Sequence, residues 1–300
     1  MEPYRFARDR YLGITRTIGH WKNSIIDRKP KLLILAYHRV RPEISFDPLY
    51  AAVTVKTFIG QIEAVAKRYP IISLTDAVEL CRDGGGRAGT RVVFTFDDGY
   101  HDIFEYAFPE LKKRGLPAAI FLPTDYIDNP MPLWDAEVIA IVARNRGRSF
   151  MLKLLDRMKG MSKEEIASVI GSMKDTRAPG EDDRCVSWED VRTMSGSGIE
   201  AGSHGASHRS LARIPIEEAM DEIKRSKESI ERNTRKLCRH FAFPFGSQKD
   251  YNEKLVDYVK KTGFASSLTN VRGYNHRPCD PFSFKRIIME EGSDIKALLG

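Results

Sequence analysis

The chain has 300 residues, of which 42% are hydrophobic and 30% charged, with a formal net charge of +7. That length and balance suit an ordinary globular chain, expected to form one barrel-sized domain with appendages. The longest apolar runs, such as Leu32 to Ala36, are strand length and far below the roughly 18 residues of a membrane span.

Residues 1–30 place Ala7, Tyr11, Ile14, Ile18, Trp21 and Ile25 on one helical face, with a polar and basic face opposite. Such a helix either packs on the domain or lies in the interface of an anionic membrane. Its basic residues have no continuous apolar core behind them, so no export signal is expected. The basic excess favours an acidic neighbour. Nucleic acid is excluded as a partner, because the basic residues form no block and carry no aromatic-rich motif. Cys81, Cys185, Cys238 and Cys279 form no C-x-x-C pair and are expected to be free thiols in a reducing compartment. The expected location is the cytoplasm, with residues 1–30 allowing peripheral attachment to the inner membrane face.

Lys31 to Val40 reads as a buried strand whose end carries His38. Val55 to Tyr69 has helical spacing, Ile71 to Leu74 is a short strand, and Thr75 to about Arg82 a helix. Gly84-Gly85-Gly86 is a surface loop without the flanking strand and helix of a phosphate loop. Val92 to Phe96 is a second buried strand, ending in Asp97-Asp98-Gly99. Two adjacent carboxylates resist joint ionisation unless a cation or a chemical task accompanies them. The C-terminal ends of strands in α/β folds are where such groups gather.

His101 to Arg114 is predicted helical and Ala118 to Leu122 a strand; this rhythm argues for parallel pairing with right-handed crossovers. Trp134-Asp135 opens a further helix. Residues 145–183, with a Ser162/Glu165 capping box, read as a helical insertion that roofs or flanks a site. Ser187 begins a helix, and Ile199 to Gly202 is a strand leading into Ser203-His204-Gly205-Ala206-Ser207-His208. Two histidines four apart can face one metal ion. Then follow a helix over 215–233, a strand Phe241 to Gly246 ending in an aromatic, proline, glycine turn, a helix over 251–262, and strands at 264–268 and 284–289.

Taken together, Asp98, His204 and His208 make a two-imidazole, one-carboxylate set that leaves positions open, as a catalytic divalent site requires. A metal there lowers the pKa of bound water, Asp97 is placed to act as base, and His38 is the candidate acid. Hydrolysis of an amide or ester follows.

At these residues the chain resembles the polysaccharide deacetylases of the NodB-homology, carbohydrate esterase 4 group. The likeness runs from about Lys31 onward, through Tyr37-His38-Arg39-Val40, Thr95 to Gly99, Gly202-Ser203-His204 with His208, and Phe243-Pro244-Phe245-Gly246. It implies a distorted (β/α)7 barrel over 31–300, preceded by the 1–30 helix. It also implies Asp97 as base, Asp98, His204 and His208 as metal ligands, and the Phe245 amide as oxyanion donor. The branch acting on poly-N-acetylglucosamine, with circularly permuted motifs, is the nearest in pattern, since the acid histidine there sits in an N-terminal Tyr-His strand. His276 is the runner-up acid. The family's arginines at the start of the turn motif are replaced by His240 and Ala242, leaving Arg239 and Arg286 as candidates to orient Asp97.

The function expected is metal-dependent removal of N-acetyl groups from amino sugars of a polysaccharide or a lipid-linked surface-glycan precursor. Zinc is the expected ion, with cobalt or nickel accepted by the same donors. O-acetyl ester or N-formyl hydrolysis by the same machinery is the alternative, and a catalytically idle glycan-binding protein is the other.

Overall fold

The computed structural model describes residues 31–49, 51–82, 89–173, 183–295 and 298. The amphipathic stretch 1–30, the Gly84-Gly85-Gly86 tract and the end of the insertion at 174–182 lie outside the described residues.

Ten strands and nine α-helices alternate along the described chain. The strands are β1 (Lys31–Tyr37), β2 (Arg39–Arg41), β3 (Ala52–Thr54), β4 (Arg91–Phe96), β5 (Ala118–Leu122), β6 (Ile199–Ser203), β7 (His240–Ala242), β8 (Ser266–Arg272), β9 (Asn275–His276) and β10 (Phe284–Ile288). The helices are α1 (Val55–Ala66), α2 (Leu74–Arg82), α3 (Phe108–Lys113), α4 (Trp134–Arg146), α5 (Arg148–Met158), α6 (Lys163–Ser172), α7 (Trp188–Gly196), α8 (Ile216–Thr234) and α9 (Glu253–Lys261).

Seven strands pair in parallel in the order β1-β4-β5-β6-β7-β8-β10, and β10 returns to β1. This is the expected distorted (β/α)7 barrel. Closure is uneven: β10 meets β1 only at Leu35 and Ala36, while β9 runs antiparallel along Lys31 and Leu32. The seam is therefore completed at the C-terminal end of β1, where the charged residues cluster.

Alternation of side chains sorts the strands into an outer and an inner face. Leu33, Leu35, Tyr37, Phe94, Phe96, Ile120, Phe241 and Phe243 face outward and pack under the helices in the largest cluster of buried residues. Leu32, Ile34, Val93, Ala119, Phe121, Ala242, Leu268 and Phe284 fill the barrel together with Leu74, Ala77 and Val78 of α2. Helix α2 thus plugs the N-terminal mouth. One inward position must be empty of side chain: a Cβ on Gly202 would lie 2.6 Å from the Phe121 ring and 3.0 Å from the His240 carbonyl.

The insertion folds as α5 and α6, with the Ser162/Glu165 capping box formed as expected. Its Met151, Leu152, Leu155, Met158 and Ile166 join Trp134, Phe245, Ala36 and Ile288 in a separate cluster over the C-terminal mouth. The insertion is therefore packed on the rim of the barrel.

Three local expectations need correction. Ile71 makes one bridge to Val92 instead of opening a strand, because α2 already begins at Leu74. The helix over 101–114 contains a π turn, Ile103–Ala107, in which Phe108 N–H reaches Ile103 O. Pro109 explains it: proline has no N–H to give to residue 105 and crowds that carbonyl, so the helix widens just before it. Third, the four cysteines are not all free. Cys81 of α2 and Cys279, ahead of β10, form a disulfide with Cα atoms 5.0 Å apart across 198 residues. Only the barrel plug brings them together, so spacing could not show it. Cys185 and Cys238 are free and buried.

Candidate active site

Register places the site. Tyr37 pairs with Phe96, and Leu122 with Ser203, so His38, Asp97 and His204 each leave the barrel at the same mouth. Asp97 N–H donates to Tyr37 O at 2.9 Å, which carries the ladder one residue past the end of β4. Asp98 then adopts φ 70°, and His208 and Phe245 adopt φ 55° and 61°. Left-handed backbone at non-glycine residues is unfavourable by about 1 kcal/mol or more each and tends to collect at functional sites.

Asp98, His204 and His208 are buried, and one ligand atom from each lies within 4.8 Å of the other two. The Nε2 atoms of His204 and His208 stand 3.4 and 3.1 Å from Asp98 Oδ1. His204 Nδ1 donates to the Ala242 carbonyl at 2.7 Å, which assigns the proton to Nδ1 and leaves Nε2 as the lone-pair nitrogen of the neutral ring. Burial opposes ionisation of Asp98, yet the two histidines hold its carboxyl well below the usual range. For His208 burial works against the proton, but Asp135 and Asp98 together push it up to about 10. Two imidazoles competing for one anionic oxygen form a donor set that suits a divalent ion.

The loop that carries the histidines is held from behind by Glu222 of α8, which is buried. Its carboxylate accepts Ala206 N–H at 2.9 Å, Ser207 N–H at 2.7 Å and the Ser207 hydroxyl at 2.6 Å. Arg209, itself buried, neutralises it at 3.1 Å.

Asp97 has no solvent exposure and is gripped by Arg286 through two parallel hydrogen bonds of 2.7 Å. Burial alone would raise the Asp97 carboxyl; Arg286 and His204 bring it below its ordinary value. Of the two arginines considered, Arg286 of β10 fills the role and Arg239 does not, being exposed at the start of β7. Arg286 also donates to the Asn270 side chain at 2.7 Å, where β8 bulges between its pairings with Phe284 and Arg286. Asn270 in turn donates to Phe245 O at 2.9 Å, tying the aromatic turn to the same network.

His38 is buried, its Nε2 4.0 Å from Asp97 Oδ2. The segment after it is clamped by Arg39, which bonds Asp102 at 2.7 Å and Asp183 at 2.5 Å. His276, the runner-up acid, is exposed on β9 beside Lys31, at the opposite end of the barrel. The structure therefore brings together His38, Asp97, Asp98, His204, His208 and Phe245, and leaves His276 out.

Sequence reading missed Arg286 as the settled partner, and did not find Glu222, Asp135 or Lys159. Lys159, from the end of α5, has no exposure and sits 3.9 Å above the Phe245 ring. Burial lowers its ammonium to about 8. The only sequence signal was a charged residue among insertion methionines, which is as common on a solvated face.

A closed seven-stranded barrel with this rim of carboxylates and imidazoles defines a class, and the family comparison agrees with it: residues 84–267 match the polysaccharide deacetylase family, to which the chain belongs. The matched segment contains Asp97, Asp98, His204, His208 and Phe245, while His38 and Arg286 lie outside it. Among curated proteins the chain is similar to YxkH of Bacillus subtilis, 21% identical over 201 residues, 67% of this chain and 52% of that protein. It spans about half the length of that relative. Among solved structures it is similar to the Streptococcus pyogenes deacetylase PplD in complex with acetate, at TM-score 0.64, 17% identity and coverage of 90% and 97% of the two chains. IcaB from Ammonifex degensii superposes at TM-score 0.62, 19% identity and coverage of 86% and 91%. A de-N-acetylase from Aggregatibacter actinomycetemcomitans does so at TM-score 0.61, 16% identity and coverage of 89% and 98%. At these identities the likeness is one of fold.

Proposed function

We propose that this chain is a metal-dependent hydrolase that removes N-acetyl groups from the amino sugars of a polysaccharide or surface-glycan precursor. The observation that carries the reading is the meeting, at one barrel mouth, of the Asp98, His204 and His208 set with an arginine-held carboxylate and a buried histidine. The three ligands would hold one divalent ion, zinc by donor type with cobalt and nickel as alternatives. When bound, it lowers the pKa of a water and polarises the acetyl carbonyl.

Asp97, kept ionised by Arg286, accepts the proton of the attacking water. The carbonyl carbon gains the water oxygen and the C–N bond breaks, giving acetate and a free amine. His38, on the next strand, returns a proton to the departing nitrogen. The Phe245 amide is the proposed donor to the developing oxyanion, in a turn held by Asn270. His38 precedes the Asp pair in the chain and lies outside the family-matched segment, which supports the circularly permuted arrangement. That one similar structure is a de-N-acetylase favours amide over ester.

The test is release of acetate or formate from N-acetylated, O-acetylated and N-formylated amino-sugar oligomers by the zinc-loaded chain. Acetate chiefly from the N-acetyl oligomer is expected, and Asp97→Asn should keep its metal while losing nearly all turnover. Turnover retained in that variant removes Asp97 as base. Glycan binding without product, in the metal-loaded protein, supports the idle-binder alternative.

Peripheral contact with an anionic membrane is proposed on the spacing of residues 1–30 alone; flotation with anionic liposomes equal to that of a chain beginning at Lys31 would defeat it. The inner membrane face is proposed on that same stretch. The Cys81–Cys279 bond removes the free-thiol support for it, since such bonds persist mainly in oxidising compartments. Thiol labelling of the protein from its native cell, after denaturation exposes the buried thiols, counts against the cytoplasm if only Cys185 and Cys238 react.

A further inference from the structure

The first turn of α4 grips His208 twice. Trp134 Nε1 donates to the His208 carbonyl at 2.9 Å, which steadies a residue held at φ 55°. Next to it, Asp135 Oδ1 lies 3.5 Å from His208 Nδ1. That nitrogen is buried and makes no hydrogen bond among the described residues, so the Asp135 carboxylate is the acceptor that faces it. An acidic residue in the first turn of a helix needs no special account at the surface, where the helix dipole favours it. Asp135 is only 6% exposed, however, and a buried carboxylate requires a charged or hydrogen-bonding partner. It also accepts its own helix's Ala136 N–H at 3.1 Å, which fixes the carboxylate on the His208 side.

The two histidines are thus built alike. Each directs Nε2 to Asp98 Oδ1 and Nδ1 to an oxygen behind it, the Ala242 carbonyl for His204 and the Asp135 carboxylate for His208. We propose that Asp135 is a positioning residue for the metal centre, holding the Nδ1 proton of His208 so that the Nε2 lone pair is presented to the divalent ion. Outer partners of this kind fix ring orientation and tautomer and raise ligand basicity, and their loss costs roughly 10–100-fold in metal affinity. By this device α4, which carries no metal ligand, sets the strength of the site. The inference rests on the metal-dependent reading of the function.

The experiment is cobalt(II) binding to the full chain by competition with a chromogenic chelator, with the visible absorption of the bound cobalt recorded in parallel. Asp135→Ala and Asp135→Asn should raise the dissociation constant by about 10–100-fold and change the absorption bands. Asp135→Glu, which restores a carboxylate, should recover most of the affinity. Asp135→Asn keeps the side-chain shape and reports even if Asp135→Ala does not fold. Affinity within twofold of wild type in Asp135→Asn overturns the proposal. So does an equal loss in the Asn and Glu variants with unchanged absorption, which would mark general loosening. If the wild type itself takes up neither cobalt nor zinc, the functional reading fails first, and the two failures are distinguished.

Discussion

Asp97 and Arg286 carry opposite charges with no solvent exposure, so each is tolerated only because of the other. Arginine offers two parallel donors to a carboxylate, and lysine offers one point charge, so the exchange is not conservative here. Arg286→Lys is expected to leave metal content near that of the wild type and to lower kcat at least about 10-fold, because Asp97, the proposed base, is misaimed. Steady-state kinetics with metal analysis of the same sample checks this. Unchanged kcat would show that orientation of Asp97 does not depend on the fork. At this scale the sequence was informative about the charged groups that the structure gathers at one mouth and poor about those that hold them. Asp97, Asp98, His204 and His208 stand in short local patterns. Arg286 is 189 positions from Asp97, Glu222 is 15 from Ser207 on another element, and Asp135 is a helix-start acid of an ordinary kind.

Elements were legible where period and punctuation agreed. The parallel strands and the helices over 55–66, 188–196 and 216–234 follow from apolar runs, the Ser187 capping box and amphipathic spacing. Barrel closure was legible only through the family resemblance, since it depends on β10 finding β1; the plugging of the far mouth by α2 was not legible. That plug has its own cap. Glu200 of β6 accepts Leu74 N–H at 2.7 Å, accepts from Thr75 and lies 3.6 Å from His240. Burial resists ionisation of Glu200, but His240 and Thr75 bring its carboxyl below the ordinary value. A carboxyl that titrates lower in the folded than in the unfolded chain stabilises above its unfolded value, and that contribution is lost as pH falls through the folded one. Glu200→Gln should therefore cost about 1 kcal/mol at neutral pH and flatten the decline in stability on acidification. Urea unfolding across pH 3–7 tests it; a variant curve parallel to wild type would contradict the cap.

For the whole molecule the division of labour is between two mouths. One is closed by α2 and stapled by Cys81–Cys279; the other collects the titratable residues under the insertion helices α5 and α6. An insertion of this kind reads in sequence as charged and methionine-rich, and only packing shows that its Lys159 and Leu155 meet the aromatic turn. The described helices include none long and apolar enough to cross a membrane. A ligand that binds the folded chain and not the unfolded one stabilises it by roughly 2.7 kcal/mol at 100 times its dissociation constant. Zinc should accordingly raise Tm in the wild type and leave Asp98→Ala close to its metal-free value.

The central claim is that Asp98, His204 and His208 form a divalent metal site. Elemental analysis of the purified full chain and of Asp98→Ala, His204→Ala and His208→Ala, after dialysis against metal-free buffer, tests it without any assumption about substrate. The account predicts about one divalent ion per wild-type chain and a marked loss in each variant. A wild type that remains empty after zinc, cobalt and nickel are supplied would contradict it, and with it the proposed hydrolase.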